Sequence, residues 1–227
     1  MTAAARQYSL GFAPALARLS RRDFVVAQSN APALETLLAW LASTDQLLVV
    51  AGPPSSGKTH LLHILGEATG DAVEAARDMV AVRTQRGRIA IVDGAGAQGS
   101  PRALLSLIER AREAGARLAL SGAGDPASWA QGLRDLETRL AAAARIDLAD
   151  PDEALLQAVI LKLLRDRQLR AGADLAAYAA ARLPKTFAAA DAFVAAMDAA
   201  SIAEGAPVGL RLARTVIANL SEEPQPA

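Results

Sequence analysis

The chain has no cysteine, few aromatic side chains and no net charge, and each absence narrows what it can be. Without a thiol there is no disulfide, no thiolate zinc site and no cysteine nucleophile, which suits a reducing compartment. Phe, Tyr and Trp make up only 4% of the 227 residues, so the core must be built from many small aliphatic contacts. The 24 basic residues balance the 24 acidic ones, removing the cationic excess on which non-specific nucleic-acid binding depends. No run approaches the ~18 uncharged apolar residues of a spanning helix. The N-terminus through Arg22 is rich in Ala, Ser and Arg, and Ala13-Pro14-Ala15 loosely imitates a cleavage site. Yet Gly11 and Pro14 interrupt the apolar stretch and no long apolar segment follows Arg6, so a cytoplasmic protein without membrane contact is expected.

What is present is a 52% hydrophobic chain dominated by Ala and Leu, too apolar for disorder and inclined to helix. Gln46–Ala51 reads as a strand buried on both faces and Arg88–Val92 as a second buried strand, with Arg117–Ser121 and Arg145–Leu148 as a third and a fourth. Helical patterns fall between them: Pro32–Leu41 after Asn30 as N-cap, Thr59–Ala68, and Pro101–Ala114 closed by Gly115. Alternation of this kind predicts a parallel α/β sheet. After Leu148 the strand signal stops. Asp150 is read as the N-cap of a helix running toward Arg170, and further helices fit 173–183, 186–204 and 208–220. The expected organisation is a flexible segment 1–22, an α/β nucleotide-binding domain 23–149, an all-helical domain 150–220 and a loose tail 221–227.

Gly52-Pro53-Pro54-Ser55-Ser56-Gly57-Lys58-Thr59 fits G-x-x-x-x-G-K-[ST] between a strand and a helix. Glycines let the backbone wrap closely, so that successive N–H groups face phosphate oxygens at a helix N-terminus. Lys58 is placed to bridge terminal phosphates and the Thr59 hydroxyl to ligate Mg²⁺. Ile89-Ala90-Ile91-Val92-Asp93 reads as the strand whose terminal acid orients that Mg²⁺. The next residue is Gly94, and no carboxylate recurs before Glu109, so the acid that polarises an attacking water in hydrolysing enzymes is missing. Little intrinsic ATPase activity is expected. His60 and His63 share a helix but lack the further ligands of a zinc site.

Several segments resemble the AAA+ module of the bacterial initiator DnaA. They are Asp23-Phe24-Val25-Val26 with Asn30-Ala31, Gly57-Lys58-Thr59-His60-Leu61-Leu62-His63, and Leu118-Ala119-Leu120-Ser121, similar to the sensor-1 strand. Asp135-Leu136-Glu137-Thr138-Arg139-Leu140 is similar to the family's arginine-finger box. The likeness spans residues 20–220 without DnaA's DNA-binding domain, and points to the DnaA-related regulatory inactivators. Gln7-Tyr8-Ser9-Leu10-Gly11-Phe12 is similar to the peptide by which such proteins dock on the polymerase sliding clamp, with Gly11 where a proline is common.

The resemblance implies a P-loop AAA+ fold with a helical lid. It implies ADP (or ATP), with Mg²⁺, held by residues 52–59 with His60, Asp93 and Ser121, and clamp contact through Gln7, Tyr8, Ser9, Leu10 and Phe12. It makes Arg139 an arginine acting in trans on ATP bound to DnaA, so that replication initiation is negatively regulated, DNA is met only indirectly and self-association is allowed. The lid's sensor-2 arginine falls on Ala188, leaving Arg182 or Lys185 as substitutes. The alternative is an independent AAA+ ATPase, a helicase loader or motor.

Overall fold

The segment Leu-Leu-Val-Val-Ala-Gly has no polar alternation because its strand, β1 (Leu47–Gly52), has strands on both edges and helices on both faces. A computed structural model of the protein describes residues 19–98 and 100–222. The peptide Gln7–Phe12 lies outside them. β1 pairs in parallel with β4 (Arg117–Ala123) on one side and β5 (Ala144–Asp147) on the other. β4 pairs with β3 (Ile89–Asp93), and β3 with β2 (Val73–Ala75), giving five parallel strands in the order β2-β3-β4-β1-β5. The sequence reading has no counterpart of β2, because Val73-Glu74-Ala75 is too short and mixed to carry a period.

Strand alternation divides the core. Leu48, Val50, Ile91 and Ile146 face Leu37 and Trp40 of α1 (Ala31–Ala42) and Leu61 and Leu65 of α2 (Lys58–Thr69). On the opposite face Val49, Val92 and Leu120 meet α4 (Pro101–Ala114) and α6 (Arg134–Ala141), with the short α3 (Ala95–Gln98) and α5 (Pro126–Trp129) between. Trp129 locks this side. Its Nε1 donates to Ala123 O at 2.7 Å, and a β-carbon at Gly96 or Gly122 would stand 2.4 or 2.3 Å from its ring. Space, not backbone conformation, therefore requires glycine at both positions.

The last four helices, α7 (Glu153–Asp166), α8 (Ala173–Ala180), α9 (Phe187–Glu204) and α10 (Leu210–Glu222), share a separate core around Leu156, Ile160, Phe193 and Met197. Fully buried Ala176, Ala179, Ala190 and Ala213 let these helices approach closely, which explains the alanine excess. Among the described residues no helix is long and apolar enough to cross a membrane.

Two caps differ from the sequence reading. Asn30 does not cap α1: its Oδ1 accepts from Ala27 N at 2.8 Å and its Nδ2 donates to Val25 O at 2.8 Å, so tertiary need overrides local preference. The α7 cap is Asp152, not Asp150, through an acceptor contact from Leu155 N at 2.7 Å. That helix stops at Asp166, short of Arg170, where Gln168 turns to φ 59°.

Candidate functional site

The loop after β1 is shaped by residues that only its closeness to other backbone explains. Gly52 sits at φ 154°, and a β-carbon there would lie 2.4 Å from Leu148 O. Ser55 is held at φ 56°, a region few L side chains occupy, and Gly57 at φ 98° is the N-cap of α2. The chain thereby curls from the strand end into the helix N-terminus, where unpaired N–H groups and the helix dipole favour an anion. Lys58 folds into this curl, its Nζ donating to Gly52 O at 3.0 Å and Pro53 O at 2.5 Å. Burial pushes the Lys58 pKa below its ordinary value, against the opposing pull of Asp93.

Beside the loop, three elements meet at one carboxylate. Thr59 Oγ1 donates to Asp93 Oδ2 at 2.8 Å, Ser121 Oγ donates to Asp93 Oδ1, and Gly94 N donates to Ser121 Oγ at 3.1 Å. α2 and β4 thus place one hydroxyl on each oxygen of the carboxylate that ends β3. This hard-oxygen set suits Mg²⁺, which keeps waters and phosphate oxygens among its ligands. Among the described residues no group of three or more His, Asp or Glu could hold a metal ion by itself. Gly94 itself has φ 86°, a conformation that disfavours a carboxylate side chain at that position.

A cavity of about 620 Å³ opens from the loop toward the lid. Its outer wall is the segment from Leu19 to Asn30, held in three ways. His60 Nε2 lies 2.9 Å from Ser20 O, Phe24 meets the His60 ring edge-on at 5.1 Å, and Asp23 pairs with Lys162 of α7 at 3.0 Å. The Ser20 hydroxyl and Lys162 hold the Asp23 carboxyl below the usual carboxylate range. Burial lowers the His60 pKa, outweighing the Ser20 carbonyl and Asp23. The unfolded imidazole thus binds a proton more readily than the folded one. The neutral ring's contribution is complete above about pH 6.5 and is lost as pH falls through the lower folded value. His60→Gln should flatten the fall in melting temperature between pH 7 and 5; a slope equal to wild type would assign that fall elsewhere.

The lid wall carries Val159, Lys162, Leu163 and Arg167 from α7, with Phe187 and Ala188 from α9. Val159 and Leu163 follow the helix's apolar pattern, whereas Lys162 and Arg167 depart from it, and a charge set among those apolar residues is the signal that could have found them. Arg182 and Lys185 turn away. Arg182 stacks on Tyr178 at 3.8 Å, while Lys185 donates to Ala180 O and pairs with Glu153 at 3.5 Å.

Arg139 lies apart. In the last turn of α6 it pairs with Glu109 of α4 at 3.2 Å, and not with Asp135 one turn before it on its own helix. It borders a second cavity, of about 430 Å³, with Gln46, Leu47 and Leu118 at the amino ends of β1 and β4. β1 separates that end from Gly52 by five residues, roughly 16 Å at strand rise.

No family model matches the sequence, and no curated protein is significantly similar to it. Solved structures are similar in fold. Domain III of the replication initiation protein DnaA from Thermotoga maritima superimposes with a TM-score of 0.70 at 14% identity, covering 90% of this chain and 98% of that one. The RuvB Holliday junction branch migration motor of the same organism gives 0.72 at 18% identity, covering 92% and 74%. With its parallel sheet and helical lid, the chain has the P-loop AAA+ fold.

Proposed function

We propose that the chain is a nucleotide-binding regulator of replication initiation of the Hda type. In this reading it docks on the sliding clamp through Gln7, Leu10 and Phe12, holds ADP, and stimulates hydrolysis of ATP bound to DnaA by inserting Arg139 into that partner's site. The observation that supports it most is the division across the sheet. The phosphate loop, Thr59, Asp93 and Ser121 gather at the carboxyl ends of the strands, while Arg139 stands at the amino ends. An arginine at the opposite end of a strand roughly 16 Å long from the phosphate loop favours a role in phosphoryl transfer exerted on another molecule.

Within the chain, Lys58 and the loop amides would hold the phosphate oxygens, and Thr59 and Asp93 would hold Mg²⁺, which neutralises phosphate charge when bound. The acids lining the cavity, Asp23 and Asp191, are engaged by Lys162 and Arg167. With Gly94 after Asp93, this supports binding without efficient turnover. Clamp and DnaA are the proposed protein partners, and DNA is reached through them.

The test is reconstitution. The chain alone should turn over little ATP, and hydrolysis of DnaA-bound ATP should rise when both the chain and DNA-loaded clamp are added. Triple replacement of Gln7, Leu10 and Phe12 by Ala should remove the clamp-dependent part. Steady turnover by the chain alone, with oligomers formed on adding ATP, would instead support the motor reading, which the likeness to a branch migration motor favours.

A further inference from the structure

We propose that the seam between α8 and α10 is a contact surface for the phosphate backbone of duplex DNA. The two helices run side by side in the same direction. Gly172 and Val208, just ahead of α8 and α10, line one recess of about 720 Å³, and further along the two helices Tyr178 meets Arg214. Arginines follow this seam from end to end. Arg165 and Arg170 line the recess, Arg211 and Arg214 lie one turn apart on α10, and Arg182, just past α8, stacks on Tyr178 at 3.8 Å. All five arginines are exposed. From Gly172 to Arg182 the seam covers about 15 Å at helical rise.

The charge along this seam is unanswered. The lid acids Asp166, Asp191, Asp198 and Glu153 pair with Lys162, Arg167 and Lys185. Among the described residues none of the five seam arginines pairs with a carboxylate, and Asp174, one turn before Tyr178, is the one acid of α8. Tyr178 organises two of the arginines instead. Arg182 Nη1 donates to Tyr178 O at 3.2 Å, and the Arg214 guanidinium lies 5.9 Å from the ring. An aromatic face holds a guanidinium without neutralising it, so the fork stays free for phosphate oxygens, which it matches better than an ammonium does. A row of such forks suits the even line of phosphates on a duplex, which carries one negative charge per ~1.7 Å of axis. The zero net charge of the chain conceals this local excess. Backbone contacts of this kind hold DNA with a Kd of only ~10⁻⁴–10⁻⁶ M at physiological salt, so the seam steadies a chain already brought to DNA and leaves recruitment to the clamp.

The experiment is fluorescence anisotropy of a dye-tagged duplex of about 20 base pairs and mixed sequence, titrated with the intact chain between about 50 and about 200 mM salt. For the wild-type chain log K should fall against log salt with a slope of about −4, as four or five neutralised phosphates require. The double variant Arg170→Gln with Arg214→Gln should weaken binding about tenfold or more at the lowest salt and reduce that slope by about 2. Arg165→Gln with Arg211→Gln, which leaves the Tyr178 stack untouched, should do the same. Replacing two exposed arginines of the α/β domain, Arg83→Gln with Arg102→Gln, should leave affinity within about twofold. An equal loss in that control pair makes the attraction diffuse and overturns the proposal, as does failure of the wild-type chain to bind the duplex at the lowest salt. A poly-glutamate peptide that binds as tightly as the duplex, with the same dependence on Arg170 and Arg214, assigns the seam to an acidic protein and overturns it too. Melting temperatures of the variants separate lost charge from lost fold. Clamp and DnaA are absent from the assay, so its failure leaves the proposed function standing.

Discussion

Replacing Arg139 with alanine is expected to lower clamp-dependent hydrolysis of DnaA-bound ATP by ~10³-fold or more, down to whatever rate DnaA shows unaided. An arginine supplied in trans is worth ~10³–10⁵ in rate because it stabilises charge on the transferred phosphoryl group at the moment it develops. The cost to the fold should be small. Arg139 pairs with Glu109 at 3.2 Å, and the two side chains are 29% and 45% exposed, so the pair contributes ~0–1 kcal/mol after solvent screening. The same weakness lets Arg139 leave Glu109 for a partner at little expense. Arg139→Lys should restore only a minor part of the stimulation, since an ammonium keeps the charge but not the planar fork. Clamp binding should persist in both variants. A single-turnover assay on DnaA loaded with labelled ATP reads the effect, and full stimulation by Arg139→Ala would remove this residue from the role.

The parts of the molecule that sequence makes legible are those where one local requirement dominates. A strand buried on both faces must be apolar throughout, so β1, β3 and β4 announce themselves as uninterrupted runs. The phosphate loop is equally plain, because Gly52 and Gly57 occupy conformations and spaces denied to other residues. Asn30 shows where this logic stops. A residue suited by type to cap α1 is instead drawn into pinning Val25 and Ala27, a demand made by the cavity wall. The lid wall is harder still: Lys162 and Arg167 gain meaning only when α7 folds across to meet Asp23 and Asp191 of α9, which lie 139 and 24 residues away in sequence. Arg139 combines both cases. Its motif is local, but its ion-pair partner Glu109 belongs to another helix.

Lys58→Ala should reduce affinity for ADP by ~10²–10⁴-fold, the second large effect. Each hydrogen bond to a charged group is worth ~1.5–3 kcal/mol, and Lys58 is positioned to make two on the phosphate chain. The loop explains why the loss should be specific. Lys58 Nζ now donates to the carbonyls of Gly52 and Pro53, so the side chain both stiffens the curl and waits inside it for an anion. Removing it should therefore lower the ligand-free melting temperature by a few degrees at most and abolish the further rise that ADP produces. Those two readings separate loop support from phosphate binding in one thermal-shift series. Burial already lowers the Lys58 pKa, which makes an incoming phosphate doubly favourable: it supplies counter-charge to an ammonium that the protein alone solvates poorly. If Lys58→Ala keeps the ADP-dependent rise intact, the curl between β1 and α2 is a structural turn and the nucleotide must be sought elsewhere.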